Sequence, residues 1–310
     1  MDRRSWILFL VLASLWGASY LFIKIGLREM SPAMVAFLRI ALAALILAPI
    51  AIRQDALRGL RGRAGALALV AAVQVAVPFW LIAAGEQEIS SALTGILVST
   101  AAIFTPLLAI WVDREERFTG LRLVGVGVGF GGVVLLFGLD LSGSSLALLG
   151  GLAVVVASLG YAIGGLLVKN RFAGTAPLGV VTSVMGWSAV MLAPAALLSA
   201  PSELPDAGPI AAVTALGVLG TGIAFVIFYD LIARVGPAKT MLVSYVAPGF
   251  AVVYGATLLG EEISVATIFG LILILVGSWL GAGGRLPPDA AAAPRDSAPP
   301  RARDAVRRAS

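Results

Sequence analysis

Residues 5–27 read SWILFLVLASLWGASYLFIKIGL, an apolar run whose one charge, Lys24, lies near its end. As a helix rising 1.5 Å per residue, such a run crosses a hydrocarbon core of about 30 Å. It also has a counterpart. An offset of 145 positions carries Lys24 onto Lys169, Pro32 onto Pro177, Leu97-Val98-Ser99 onto Leu242-Val243-Ser244, Glu116 onto Glu261, Gly125 onto Gly270 and Gly132 onto Gly277, without a gap. Leu and Gly coincidences are common in an apolar chain, so the weight rests on the Lys, Pro and Glu pairs and on the unbroken register.

Working outward, ten such segments emerge, near 5–27, 32–52, 65–85, 90–112, 118–138, 146–169, 177–199, 209–233, 236–259 and 264–284. The predicted fold is an all-α integral membrane protein of ten transmembrane helices. These form two five-helix repeats, 5–138 and 146–284, and an odd-numbered repeat must be inverted in its second copy. The composition agrees, with 59% hydrophobic residues, 13% charged residues and a mean hydropathy of +0.99. The segments are continuously apolar and lack the alternation of a β-barrel. The first could be mistaken for a signal peptide after Asp2, Arg3 and Arg4, but its run is too long and no small-residue cleavage site follows, so it is expected to be retained. Residues 285–310, rich in Pro, Ala and Arg, have too little to bury and are predicted to be a disordered cytoplasmic tail.

The net charge of +5 does not indicate nucleic acid, because the cations cluster on one side of the predicted bundle. With the N-terminus inside, the inner side holds Arg3, Arg4, Arg53, Arg58, Arg61, Arg63, Arg114, Arg117, Lys169, Arg171, Arg234 and Arg285, against chiefly Arg28 outside, with Lys24 at a span end. Both termini are therefore expected to be cytoplasmic. Glu86, Glu88, Asp140, Glu203, Asp206, Glu261 and Glu262 are assigned to the outer loops. The chain has no His and no Cys, so it offers no imidazole ligand, thiol nucleophile or disulfide.

Trp16-Gly17 with Lys24, Pro32 with Arg39, Pro106, and Glu116 with Thr119 and Gly125 make the chain resemble the drug/metabolite transporter superfamily, specifically its EamA-type transporters. Pro248, Gly260-Glu261, Ser264 and Gly270 repeat the theme. The resemblance covers residues 5–284. It implies export or exchange of small metabolites, often amino acids, across a bacterial inner membrane, without identifying the solute. The second copy departs from the pattern: Tyr161-Ala162 replaces Trp-Gly, and Val184 stands where Arg39 would recur. A strictly symmetric site is therefore not expected.

Buried polar groups point to the pathway. Arg39 lies about 10 Å into the second segment, where a guanidinium costs roughly 2.5–3.5 kcal/mol on insertion scales. It either faces an aqueous cavity and binds a carboxylate with its planar fork, or it snorkels or ties two helices together. Trp16, Ser19, Tyr20 and Lys24 share one helical face of the first segment. The aromatics could stack on a solute and Lys24 could attract anions; interfacial anchoring and snorkelling are the alternative. Gln74, one turn before Pro78, needs a solute or another helix as partner. Tyr161 and Tyr245 would approach the same zone from the second copy, or simply pack. Asp230 with Arg234 reads as a helix-end ion pair, while Glu116 and Glu261 read as structural groups at the starts of the following helices.

Gly125 with Gly129, Gly127 with Gly131, and Gly277 with Gly281 have small-xxx-small spacing for close helix packing, within the chain or in a homodimer. Gly127-Val-Gly129-Phe-Gly131-Gly132 fits a dinucleotide motif by letter but has no strand before it. A multispan transferase is the rival class, yet no Walker A sequence, zinc set, general-base His or magnesium-chelating Asp pair is present. No cofactor and no metal is expected. A membrane scaffold would leave Arg39 and the repeated halves unexplained. The expected partners are a small-molecule solute and membrane lipid.

Overall fold

The computed structural model describes residues 1–112, 120–141 and 143–281. Among them every regular element is helical. Nine helices are long and apolar enough to cross a membrane: α1 Arg3–Gly26, α2 Pro32–Arg53, α3 Ala64–Glu88, α4 Ser91–Leu108, α5 Leu121–Leu139, α6 Ser145–Arg171, α7 Pro177–Leu198, α8 Ala207–Val235 and α9 Lys239–Leu258. A tenth apolar helix, α10 Val265–Gly281, is shorter, with 17 residues, and its expected end at 284 lies outside the described residues. So does the tail.

The helix starts follow from local chemistry. Side chains of Asp2, Ser31, Ser90 and Ser144 accept from Ser5, Met34, Leu93 and Ala147 N–H groups and satisfy the donors that a first turn leaves free. Pro32 and Pro177 occupy the first turns of α2 and α7, where a missing N–H costs nothing. The two Leu-Val-Ser triplets mark interruptions. In α4, the piece Ser91–Val98 gives way to one that begins at Ala101, where the Ser99 and Thr100 hydroxyls bond back to the Ile96 and Leu97 carbonyls, both at 2.6 Å. Near its start, α9 breaks likewise between Met241 and Val243.

Two helices widen into π-turns, Ala71–Ala76 in α3 and Val218–Ile223 in α8. Pro78 follows the first and lacks an N–H to continue the ladder. Gly220-Thr221-Gly222 forms the second, where glycine weakens the α-helical preference and Thr221 Oγ1 donates to the Leu216 carbonyl at 3.0 Å.

The packing pairs helices across the halves. α3 lies on α6 as α8 lies on α1, α4 touches α6 as α9 touches α1, and α2 packs on α7 and α5 on α10. Small residues set the closest approaches. A Cβ on Gly277 would lie 2.6 Å from the Gly125 carbonyl, and one on Gly132 would lie 2.9 Å from the Gly270 carbonyl. The 145-residue register maps each of these contacts onto the other. Gly125, Gly129, Gly132 and Gly277 therefore pack within the chain, whereas Gly127 and Gly131 have nothing within 4 Å among the described residues. Leu45, Val134, Val190 and Phe269 point outward, as lipid-facing side chains do.

Candidate functional site

Arg39, on α2, is held at the meeting of α2 with α3 and α8. Gly217 and Gly222 let α8 come within contact of Leu42 and Ile46 of α2, and Gly220 lets it meet Ser19 of α1. That approach brings buried Thr221, inside the α8 π-turn, to accept from Arg39 Nε at 2.9 Å. The guanidinium carbon lies 4.0 Å from the centre of the Phe79 ring on α3, and Tyr161 of α6 meets the same ring edge to face at 6.1 Å. Such cation–π contacts contribute about 0.5–2 kcal/mol. Its two terminal nitrogens have no hydrogen-bond acceptor among the described residues. The arrangement thus fixes the guanidinium by one edge and one face and leaves its outer fork available to an anion.

The other expected site residues divide. Tyr20 and Tyr161 share an apolar cluster with Ile82, Ala157 and Leu216, and Tyr161 also meets the Phe79 ring that Arg39 covers. Ser19 is buried next to Gly220, but its hydroxyl bonds back to the Leu15 carbonyl at 3.0 Å. Gln74 sits in the α3 π-turn with its stem packed on Gly164 of α6. Trp16 stands apart: its ring lies 5.5 Å from Phe228 in an aromatic group with Phe225 and Tyr229. Tyr245 is half-buried on α9, and no described contact ties it to Arg39.

Three charged positions require correction. Glu86, assigned by sequence to an outer loop, is the third residue from the end of α3 and is fully buried, with neither carboxyl oxygen hydrogen-bonded among the described residues. A buried polar group left unpaired costs roughly 1–3 kcal/mol. Lys24 neither snorkels nor stands free for anions: its ammonium donates to the Glu86 and Ile89 carbonyls at 2.6 and 2.8 Å and caps the end of α3. Glu261 does not serve the following helix. It accepts from the Ser91 and Ala92 N–H groups at 2.7 and 3.0 Å and so caps α4, while Ser264 caps α10. Glu116 lies outside the described residues. The Asp230–Arg234 pair forms as expected, at 2.8 Å.

A bundle of apolar helices that encloses a partly committed guanidinium, two tyrosines and a buried acid has the make-up of a membrane transporter. The chain belongs to the EamA-like transporter family, whose sequence pattern it matches at residues 4–138 and again at 148–281. It is 29% identical over 280 residues to the uncharacterized inner membrane transporter YedA of Escherichia coli K12, spanning 86% of this chain and 89% of that one. To the probable amino-acid metabolite efflux pump of the same organism it is 25% identical over 295 residues, spanning 92% and 96%. A protein of known crystal structure shares the fold at a TM-score of 0.64 and 19% identity, over 90% of this chain and 96% of the other. The family and the two named relatives are transporters, not enzymes.

Proposed function

We propose that the protein is a secondary transporter of ten membrane-spanning helices arranged as two inverted repeats, 5–138 and 146–284, which moves a small amphiphilic metabolite outward across a bacterial inner membrane by alternating access. An amino acid is the first candidate solute. Arg39 carries the reading: its outer fork suits a carboxylate, and Phe79, Tyr20 and Tyr161 offer an apolar side to the rest of the solute. The paired helix contacts, the two π-turns and the mutually mapped glycine contacts support the repeat. At 17 residues α10 lies at the short end of the range for a span. The excess of Arg and Lys in alternate loops supports termini on the cytoplasmic side. The names of the efflux relatives favour export of amino-acid metabolites.

The test is counterflow in proteoliposomes preloaded with amino acids, nucleosides or sugars, with Arg39→Ala and protein-free vesicles alongside. Saturable exchange of one solute class is expected, abolished in Arg39→Ala and partly kept in Arg39→Lys, which retains the charge and loses the fork. Full exchange by folded Arg39→Ala would remove Arg39 from the site. No exchange of any class by the native chain would defeat the solute assignment.

A further inference from the structure

Glu86 is a buried polar group that neither packing nor the solute reading uses. The end of α3 that carries it is closed from several sides. Gly85 and Gly150 bring α6 so near that a Cβ on either would meet the other's carbonyl, at 2.5 and 2.8 Å. Lys24 clamps the carbonyls on either side of the α3 terminus, and Glu261 reaches from the α9–α10 link to pin the start of α4. Inside this closure both Glu86 oxygens and the Ser91 hydroxyl lack a hydrogen-bond partner among the described residues.

The charged and titratable groups around Glu86 are Lys24 and Tyr20 on α1, Arg39 on α2 and Glu261 on the α9–α10 link, which holds the Ser91 N–H of α4. Lys24 makes no ion pair with the carboxyl, because its ammonium is committed to the two carbonyls. A metal cation beside that ammonium would be repelled. A carboxyl sealed away without a donor is tolerated as the neutral acid and is strongly disfavoured as the anion.

We propose that Glu86 is a proton-binding site linked to closure of this end of the helix bundle: its carboxylate takes up one proton as the end closes and returns it to the adjoining solution as the end opens. One O–H bond forms and breaks per cycle, and no electrons are transferred. The proton linkage does not depend on the solute reading.

The chain has no cysteine, so a single one reports closure cleanly. Ser91→Cys suits this use, since Ser91 is 1% exposed and its hydroxyl has no hydrogen bond to lose. The full chain in proteoliposomes is labelled with a membrane-impermeant maleimide between about pH 6 and pH 8, and each rate is divided by that of Ser91→Cys in a Glu86→Gln background, which cancels the pH dependence of the thiol. Closure that takes up one proton predicts a ratio rising by up to tenfold per pH unit. Should Glu86→Gln not fold, the rate at exposed Gln87→Cys in the otherwise native chain serves as divisor. A ratio flat with pH, or one that moves on replacing potassium by sodium at fixed pH, overturns the proposal. Labelling needs no solute, so a pH-dependent ratio without counterflow would count against the solute reading alone.

Discussion

Gly277→Ala should loosen the junction of α5 and α10, and the structure sets the size of the effect. The added methyl would lie 2.5 Å from Gly129 Cα and 2.6 Å from the Gly125 carbonyl oxygen. Ordinary contact begins at 3.4 Å, so the helices must separate by about 1 Å, and the opposing atoms are backbone, which cannot rotate away. Overpacking of this kind costs about 1–3 kcal/mol. Gly131→Ala on α5 is the matched control: nothing lies within 4 Å, and alanine favours a helix interior by up to about 1 kcal/mol over glycine. The two variants should therefore differ by roughly 1–4 kcal/mol in resistance to unfolding. Unfolding in mixed micelles, followed through tryptophan fluorescence, measures the gap. Equal midpoints, or a larger loss in Gly131→Ala, would show that α5 meets a neighbour through its other glycine face and that the described contact is not the tight one.

Glu261→Ala removes the acceptor of two N–H groups at the start of α4 and should cost about 1–3 kcal/mol in the same assay, while Glu262→Ala, exposed next to it, stays within about 0.5 kcal/mol. Thr221→Val keeps the shape of the α8 π-turn but takes away the acceptor that orients Arg39 Nε. A bond of that kind to a charged group contributes about 1.5–3 kcal/mol, so the half-saturating solute concentration in counterflow should rise tenfold or more, and an unchanged value would detach Thr221 from solute binding.

The helices were legible because lipid leaves few choices: a run of about 20 apolar residues satisfies its backbone as a helix or not at all. Arg39 was legible for the same reason, since a guanidinium inside such a run demands a partner. What the partner would be was not legible, because Thr221 is 182 positions away and lies in a π-turn that Gly220-Thr221-Gly222 hints at only weakly. Glu86 was missed because Glu86-Gln87-Glu88 has the composition of a solvated helix end. Burial there depends on α6 closing over Gly85, a tertiary fact whose one local trace is the glycine itself. Glu261 was recognised as a helix cap but given to the wrong helix: spacing favours the next segment, and the true acceptor bonds span 170 and 169 positions. Trp16 and Tyr245 share the residue type of a binding aromatic, yet face selection within a helix depends on neighbours that the sequence does not reveal.

The glycine junction of α5 and α10 lies apart from both π-turns. α5 and α10 meet through glycines, backbone against backbone, and such an interface resists small displacements because every shift opens a void or a clash. The departures from regular structure gather elsewhere: both π-turns, the half-committed guanidinium of Arg39 and the unpaired acid of Glu86 all lie among α1, α2, α3, α6 and α8. Local rules are commonly broken where function requires it. On the proposed alternating-access reading, the moving contacts are then those of α3 and α8 against α1, α2 and α6, where a π-turn can be exchanged for an α-turn at small cost. The glycine junction of α5 and α10 stays shut, so Gly277→Ala should reduce stability while leaving the solute preference of the folded fraction unchanged.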